Sequence, residues 1–478
     1  MPAARSSAPS RPAIASLILA AGKGTRMNSA RAKVLHQILG KPLLSYPIDR
    51  ARELGAAPVV AVLGHQIEAV RKDLLARYGE GGVTVVEQAE QKGTGHAVKL
   101  GLEPLAGWDG IVLVLYGDVP LLTRKTLGAL VDEAVKTGGL SMLSAQVHDA
   151  TGYGRVVRDA QGRVSRIVEH KDASPEERRL TEFNAGIYAA PVAFLREAVA
   201  KLVPQNAQGE YYLTDIVEWA AESIGASAIV TDAQEVGGIN DRRQLAEAEQ
   251  ILRRRLVDRW LEHVTFRDPD AVWIEPDVTL EPDVEIGRNV ALRGRTTVKR
   301  GTRIDDGAIL NDAVVGEGTE IRPYCVIDGA EIGAGAIIGP FARLRPQTRL
   351  GPGVHVGNFV EIKKTTLGKG SKANHLTYLG DATIGDGVNV GAGTITCNYN
   401  GYEKFETVIE DGVQVGSDTQ LVAPVRVGKR AVIGAGTTVV KDVPDGALAL
   451  SRAEQKNVEG YADKVAERYR NRPGKSKP

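Results

Sequence analysis

At 478 residues the chain exceeds what one ordinary hydrophobic core organises, so two domains or more are expected. A net charge of +1, with lysine and arginine dispersed throughout, gives no electrostatic reason to invoke nucleic acid or a membrane surface. The two cysteines, Cys325 and Cys397, lack metal-ligand spacing; they exclude a disulfide framework and point to a reducing, cytoplasmic compartment.

Residues 1–13 are rich in Ala, Ser and Pro, lack the apolar run of a secretion signal and are expected to form a disordered tail. No stretch reaches transmembrane length. Ser16–Ala20 reads as a buried strand and runs directly into Gly22-Lys-Gly-Thr-Arg-Met27. Helical and strand-like segments then alternate over Leu43–Leu54, Val59–Leu63, Ile67–Arg77, Val83–Val86, Ala97–Leu102, Ile111–Leu115 and Thr126–Lys136. Such alternation predicts βα units and a mostly parallel sheet, with ligands at the carboxyl ends of its strands. The glycine-rich turn lets backbone amides approach a phosphate, with Lys23 and Arg26 adding positive charge. An ordinary tight turn explains the glycines equally well, and the spacing matches neither a Walker A loop nor a dinucleotide fingerprint. Asp118, ending Tyr116-Gly-Asp118, is placed to ligate Mg²⁺. The competing reading is a plain turn aspartate. This first domain is bounded at 14–240.

Residues 241–264 read as a linker helix, with Leu245, Ile251, Leu252, Leu256, Trp260 and Leu261 in an apolar stripe. Its Arg253-Arg-Arg255 triplet is read as a solvated face rather than an anion site.

Residues 265–450 read as the second domain, and between Val272 and Val439 it repeats every six residues. Aliphatics fall at Ile274, Leu280, Ile286, Leu292, Val298, Ile304 and Leu310, skip one position, and resume at Val315, Ile321 and Ile327. After another skip come Ile332, Ile338, Leu344, Leu350, Val356 and Ile362, and later Ile409, Val415, Leu421, Val427, Ile433 and Val439. Small or β-branched residues sit two positions earlier. Neither a helix nor a lone strand repeats at six. Short strands that turn a corner do, and three sides close one coil of a parallel β-helix, with a repeat of ~18 residues and ~4.8 Å. Cys325 takes an inward position in that rhythm, so it belongs to the core.

The register also locates a site. Leu344 to Ile362 spans one coil, and the skip before Leu367 brings Leu379 onto the same side. Arg345 and Lys363 follow inward aliphatics and Tyr378 precedes one, so all three point outward from one wall. His375 falls at the corner leading into it. A histidine beside two cations and a phenol suits a general base, which needs a neutral imidazole. A surface histidine in a basic patch is the bland alternative. The rhythm fades between Thr396 and Ile409, where Asn398–Lys404 reads as a projecting loop. Residues 451–478 read as a C-terminal tail.

Leu19-Ala-Ala-Gly-Lys-Gly-Thr-Arg-Met27 followed by Lys33-Val-Leu-His36 resembles the sugar-phosphate nucleotidyltransferases. With it go Gln88-Ala-Glu-Gln-Lys-Gly-Thr-Gly-His96, Thr151-Gly-Tyr-Gly154, Ile167-Val-Glu-His-Lys171, Asn184-Ala-Gly186, Gln208–Asp215 and Gly238-Ile-Asn240. Further on stand Gly339–Arg345, Gly357–Lys364, His375–Asp381 and Gly391–Tyr399. Together, over nearly the whole chain, these resemble the bifunctional N-acetylglucosamine-1-phosphate uridylyltransferase/glucosamine-1-phosphate N-acetyltransferase family. The resemblance implies a Rossmann-like α/β nucleotidyltransferase domain followed by a left-handed parallel β-helix of hexapeptide repeats, assembled as a homotrimer. It implies Mg²⁺ on Asp118 and Asn240, UTP as uridylyl donor and acetyl-CoA as acetyl donor, with glucosamine 1-phosphate and N-acetylglucosamine 1-phosphate as the other substrates. Arg26 and Lys33 would neutralise the triphosphate. Leu19, Ala20, Ala21, Gly22, Gln88, Gly93, Thr94, Tyr116 and Gly117 would hold the nucleotide, with Gln88, Gly93 and Thr94 reading uracil. Gly154, Glu169 and Asn184 would hold the sugar. In the second half His375 would take the amine's proton, and Arg345, Lys363, Tyr378, Asn389 and Lys404 would bind glucosamine 1-phosphate, Lys404 from a loop that in the family reaches a neighbouring subunit. Asn398 would orient the amine or polarise the thioester, and Ala392, Tyr399, Ser417, Ala435 and Arg452 would line the coenzyme. The residues alone leave open a monofunctional nucleotidyltransferase with a purely structural or regulatory β-helix, and a non-catalytic assembly subunit.

Overall fold

The computed structural model describes residues 12–470; residues 1–11 of the tail expected at 1–13, and residues 471–478 of the C-terminal tail, lie outside the described residues. The chain divides into two compact units, Met1–Asp258 and Arg259–Pro478.

In the first unit the apolar run forms strand Ile14–Ala20, every residue of it buried. Burial on both faces marks a central strand. It pairs in parallel with Val59–Leu63 on one side and Ile111–Tyr116 on the other. Across the sheet the order is Ala226–Thr231, Leu140–Gln146, Glu182–Pro191, Ile111–Tyr116, Ile14–Ala20, Val59–Leu63, Thr84–Glu87. Glu182–Pro191 runs antiparallel to both neighbours, and the other pairings along this order are parallel. Helices Ser45–Glu53, Ile67–Tyr78, Thr94–Gly101 and Arg124–Thr137 fall on the segments read as helical. Separate apolar clusters lie on the two faces of the sheet: Ile18, Leu113 and Ile48 share one, and Leu17, Val112 and Val98 the other.

Helix Arg242–Trp260 buries Ala248, Leu256 and Val257, not the whole expected stripe. Leu261 lies beyond the helix and is exposed. Its arginine triplet is not a uniformly solvated face either, since Arg255 Nη1 donates to the Leu121 carbonyl at 2.6 Å. The carbonyl of a distant loop recruits that guanidinium, which helical periodicity does not reveal.

The second unit is a parallel β-helix. Coils stack in the register read from the hexads: Leu292 pairs with Leu310, and the one-residue skip makes Val298 pair with Val315. The inward aliphatics are buried from Ile274 to Val439. Several threonines take the inward position two residues earlier; Thr296 and Thr419 donate to carbonyls three residues back, and others reach carbonyls one coil on. Thr302, Thr319 and Thr348 donate to Gly316, Gly333 and Ile362 at 3.0, 3.1 and 3.1 Å. Among the described residues no helix is long and apolar enough to cross a membrane.

Candidate functional sites

Gly24 explains the first motif. Its φ of +62° is left-handed, and a Cβ there would lie 2.5 Å from the Lys33 Cβ, so only glycine lets the turn close against that lysine. Thr25–Met27 is a short 3-10 turn that exposes Arg26, and Arg242 Nε anchors it by donating to the Met27 carbonyl at 3.1 Å. Lys33 reaches the carboxyl ends of the strands. Its ammonium donates to Asp118 Oδ2 and, at 3.0 Å, to Asn240 Oδ1.

Two cavities meet at this point. One, of about 240 Å³, is lined by Leu19, Ala20, Ala21, Gly22, Lys33, Gln88, Gly93, Thr94, Tyr116 and Asp118. The other, of about 320 Å³, is lined by Gly154, Glu169 and Asn184 among others. Thr94, Tyr116, Asp118 and Glu210 belong to both walls. Arg26, Gly117 and Asn240 line neither. Gly117 instead packs tightly, for a Cβ there would meet Ala20 and Leu44 at 2.9 Å.

Burial, and then the neighbouring Asp118 and Glu169, raise the Tyr116 phenol, so it stays protonated. Burial also raises Glu169, opposed by the Thr214 hydroxyl that donates to it at 3.2 Å. Asn184 Nδ2 donates to the Tyr188 hydroxyl at 2.7 Å and its Oδ1 accepts from Gly186 N, which fixes its orientation. The sequence reading gave no role to Gln91, whose amide donates to the Ala21 carbonyl at 2.5 Å, nor to Glu210, Thr214 or Tyr188. All four lie inside or near quoted motifs but carry no spacing signal of their own.

Among the described residues no group of three or more His, Cys, Asp or Glu side chains gathers around a metal position. Asp118 and Asn240 nonetheless suit Mg²⁺: two oxygens, one anionic, converge on a single cation, here the Lys33 ammonium. A hard cation that keeps waters and takes phosphate oxygens needs few protein ligands.

In the second unit Leu344 pairs with Ile362 and Ile362 with Leu379, so Arg345, Lys363 and Tyr378 do lie along one wall. Arg345 Nη1 donates to Glu361 at 2.9 Å. The Lys404 ammonium beside Lys363 holds that lysine below its usual value, with Arg345 adding to the effect. Cations crowded in this way make an anion site. Lys404 arrives there because the projecting loop folds back, with Tyr399 bridging Lys404 and Asn400 Oδ1 accepting from Tyr402 N and Glu403 N at 2.9 and 2.8 Å. Asn398, at its base, is buried and its Nδ2 donates to Asp381 Oδ2 at 2.5 Å.

His375 is exposed at the end of strand Lys372–His375. Ala373 pairs with Val390, Val390 with Val415 and Val415 with Ile433. Two residues further along each coil, His375, Ala392, Ser417 and Ala435 therefore follow one another in single file along one corner. Arg452 joins the file from the side, its Nη2 3.2 Å from where a Gly434 Cβ would sit. Asn389 lies exposed on the strand before that corner, and Tyr399 lies exposed on the loop.

These folds and sites define a two-domain transferase, a nucleotidyltransferase joined to a hexapeptide-repeat transferase. Residues 16–218 match the family model of the MobA-like NTP transferase domain, and residues 329–364 and 406–441 match that of the bacterial transferase hexapeptide repeats. The bifunctional protein GlmU of Trichlorobacter lovleyi is 49% identical over 452 residues, 94% of this chain and 97% of that protein. That of Sorangium cellulosum is 49% identical over 469 residues, 96% and 98% of the two chains. That of Burkholderia vietnamiensis is 50% identical over 453 residues, 94% and 98%. The chain belongs to the GlmU family.

Proposed function

We propose that this protein acetylates glucosamine 1-phosphate with acetyl-CoA and then joins the product, N-acetylglucosamine 1-phosphate, to the uridylyl group of UTP. The observation that carries the reading is the pair of cavities sharing Asp118, one lined by Gln88, Gly93 and Thr94 and the other by Gly154, Glu169 and Asn184. Between them the sugar-phosphate oxygen attacks the α-phosphorus in line, a P–O bond forms, and pyrophosphate leaves. The residues need only position the two substrates and offset the charge. Lys33 and Arg26 face the triphosphate, Gln88, Gly93 and Thr94 the base, and Glu169 and Asn184 the sugar. Mg²⁺ held by Asp118 and Asn240 would supply further neutralisation of the phosphates.

On the β-helix, His375 accepts a proton as the amine attacks the thioester carbonyl; the amide bond forms and the coenzyme A thiol leaves. Arg345, Lys363 and Lys404 bind the sugar phosphate, with Tyr378 and Asn389 beside them. Because Asp381 engages the Asn398 amide nitrogen, the Asn398 oxygen is left to accept from the amine, which favours an amine-orienting role. The single-file corner of Ala392, Ser417 and Ala435, with Arg452 and Tyr399 alongside, suits an extended pantetheine arm.

An outward-facing wall needs a second chain to enclose a substrate, which favours an oligomer; the family resemblance makes it a homotrimer, and the two unpaired cysteines suit a reducing cytoplasm. The functional segments are residues 14–240 for uridylyl transfer and 265–450 for acetyl transfer, with 241–264 between them. The test uses full-length variants assayed for both products. His375→Ala is expected to abolish release of free coenzyme A and spare pyrophosphate release, and Asp118→Asn to do the reverse. Loss of both activities in either variant would undo the assignment.

A further inference from the structure

His96 is quoted in the Gln88–His96 motif, yet neither the sequence reading nor the proposed function uses it. Gln88 is only 4% exposed and lines the nucleotide cavity. Its amide nitrogen lies 3.1 Å from the Gly93 carbonyl oxygen and 3.3 Å from His96 Nδ1. A carbonyl oxygen only accepts, so the Gln88 end facing Gly93 is the NH₂ and not the oxygen. With that end fixed, the second N–H points at His96, whose Nδ1 must accept and whose ring proton then sits on Nε2. Gly93 itself cannot be exchanged for a larger residue. Its φ is +102°, and a Cβ would lie 2.7 Å from the Tyr211 carbonyl oxygen.

Both amide protons of Gln88 are thereby consumed, and no hydrogen bond within the described residues reaches its Oε1. A carbonyl oxygen of a buried side chain, open to the cavity on its wall, is a fixed acceptor. Uracil presents N3–H, a donor; cytosine presents N3 as an acceptor. We propose that His96 is a specificity-determining positioning residue: by accepting from the Gln88 amide it holds Oε1 as the acceptor for a base carrying an N3–H donor, so that the site takes UTP and rejects CTP. Pairing cytosine N3 with Oε1 would set two acceptors face to face inside the protein, the situation in which polar sites discriminate most strongly. The inference rests on the proposed placement of the base at Gln88.

The test compares kcat and KM for UTP and CTP, with N-acetylglucosamine 1-phosphate as co-substrate, in the full chain and in Gln88→Leu, His96→Phe and His96→Asn. The phenyl ring keeps the volume and cannot accept; the Asn side chain can offer an oxygen near the position of Nδ1. His96→Phe is expected to raise the KM for UTP and to lower the UTP/CTP ratio of kcat/KM about tenfold or more, with the KM for the sugar phosphate unchanged, and His96→Asn to restore both. Unchanged UTP kinetics in Gln88→Leu would overturn the placement of the base itself. If Gln88→Leu weakens UTP while His96→Phe leaves the ratio unmoved, or if His96→Asn is as impaired as His96→Phe, the orienting role is wrong.

Discussion

At the scale of single residues, Lys33 does two jobs that exclude one another. Its ammonium lies between Asp118 and Asn240, where a divalent cation would sit, yet the proposed chemistry needs it on a phosphate. A charge-assisted hydrogen bond of this kind contributes about 1.5–3 kcal/mol. Lys33→Met is therefore expected to tighten Mn²⁺ binding to the nucleotide-free protein about tenfold or more while lowering uridylyl transfer. Titration calorimetry reads the first effect, and unchanged Mn²⁺ affinity would show that the lysine does not compete. The cysteines make a second case. Cys325 is buried, and burial pushes its thiol up to about 11 from 9.0. The folded state thus keeps this proton longer than the unfolded one, so its share of stability is complete below 9.0 and declines as pH rises toward about 11. Cys397 is only half-buried. A thiol dye at pH 8 should label Cys397 alone in the native protein and both cysteines in denaturant; fast labelling of Cys325 in the native protein would contradict its place inside the coils.

At the scale of elements, the β-helix was legible because its constraint is local and repetitive. Each side of a coil must bury an aliphatic, so the six-residue rhythm and its skips give the stacking register directly. Counting through the skip before Leu367 placed Leu379 beside Ile362, which in turn put Arg345, Lys363 and Tyr378 on one wall. Contacts that join distant segments left no such trace. Arg242 bracing the Met27 turn, Gln91 on Ala21 and Arg255 on Leu121 each depend on which distant segments meet after folding. The neighbourhood of Lys404 and Lys363 was read only through resemblance, because the loop that brings them together breaks the rhythm. Leu344→Ala in the centre of the stack should cost about 2–5 kcal/mol, through lost burial and the cavity left between coils. Urea unfolding followed by circular dichroism measures this, and a loss well under 1 kcal/mol would mean that the coils collapse to fill the gap.

At the scale of the whole molecule, the β-helix leaves an apolar ladder uncovered along the corner occupied by His375. Tyr324, Phe341, Phe359 and Leu376 are 57%, 48%, 57% and 64% exposed, and the three rings stack at centroid spacings of 5.4 and 5.5 Å. Each takes a positive φ, between 46° and 60°, which side chains of this size adopt only where the surrounding coils dictate it. A contiguous exposed apolar strip commonly marks an interface. Its upper end, Leu376, directly follows the proposed base, so a neighbouring copy seated on the ladder would reach the wall that carries Lys363. Acetyl transfer should then depend on assembly, and uridylyl transfer, confined to cavities within Met1–Asp258, should not. Phe359→Asp puts a carboxylate in the middle of the strip. It is expected to yield a monomer by light scattering that retains pyrophosphate release from UTP and has lost most coenzyme A release. A Phe359→Asp protein that is monomeric yet acetylates at the full rate would show that one chain completes the site alone.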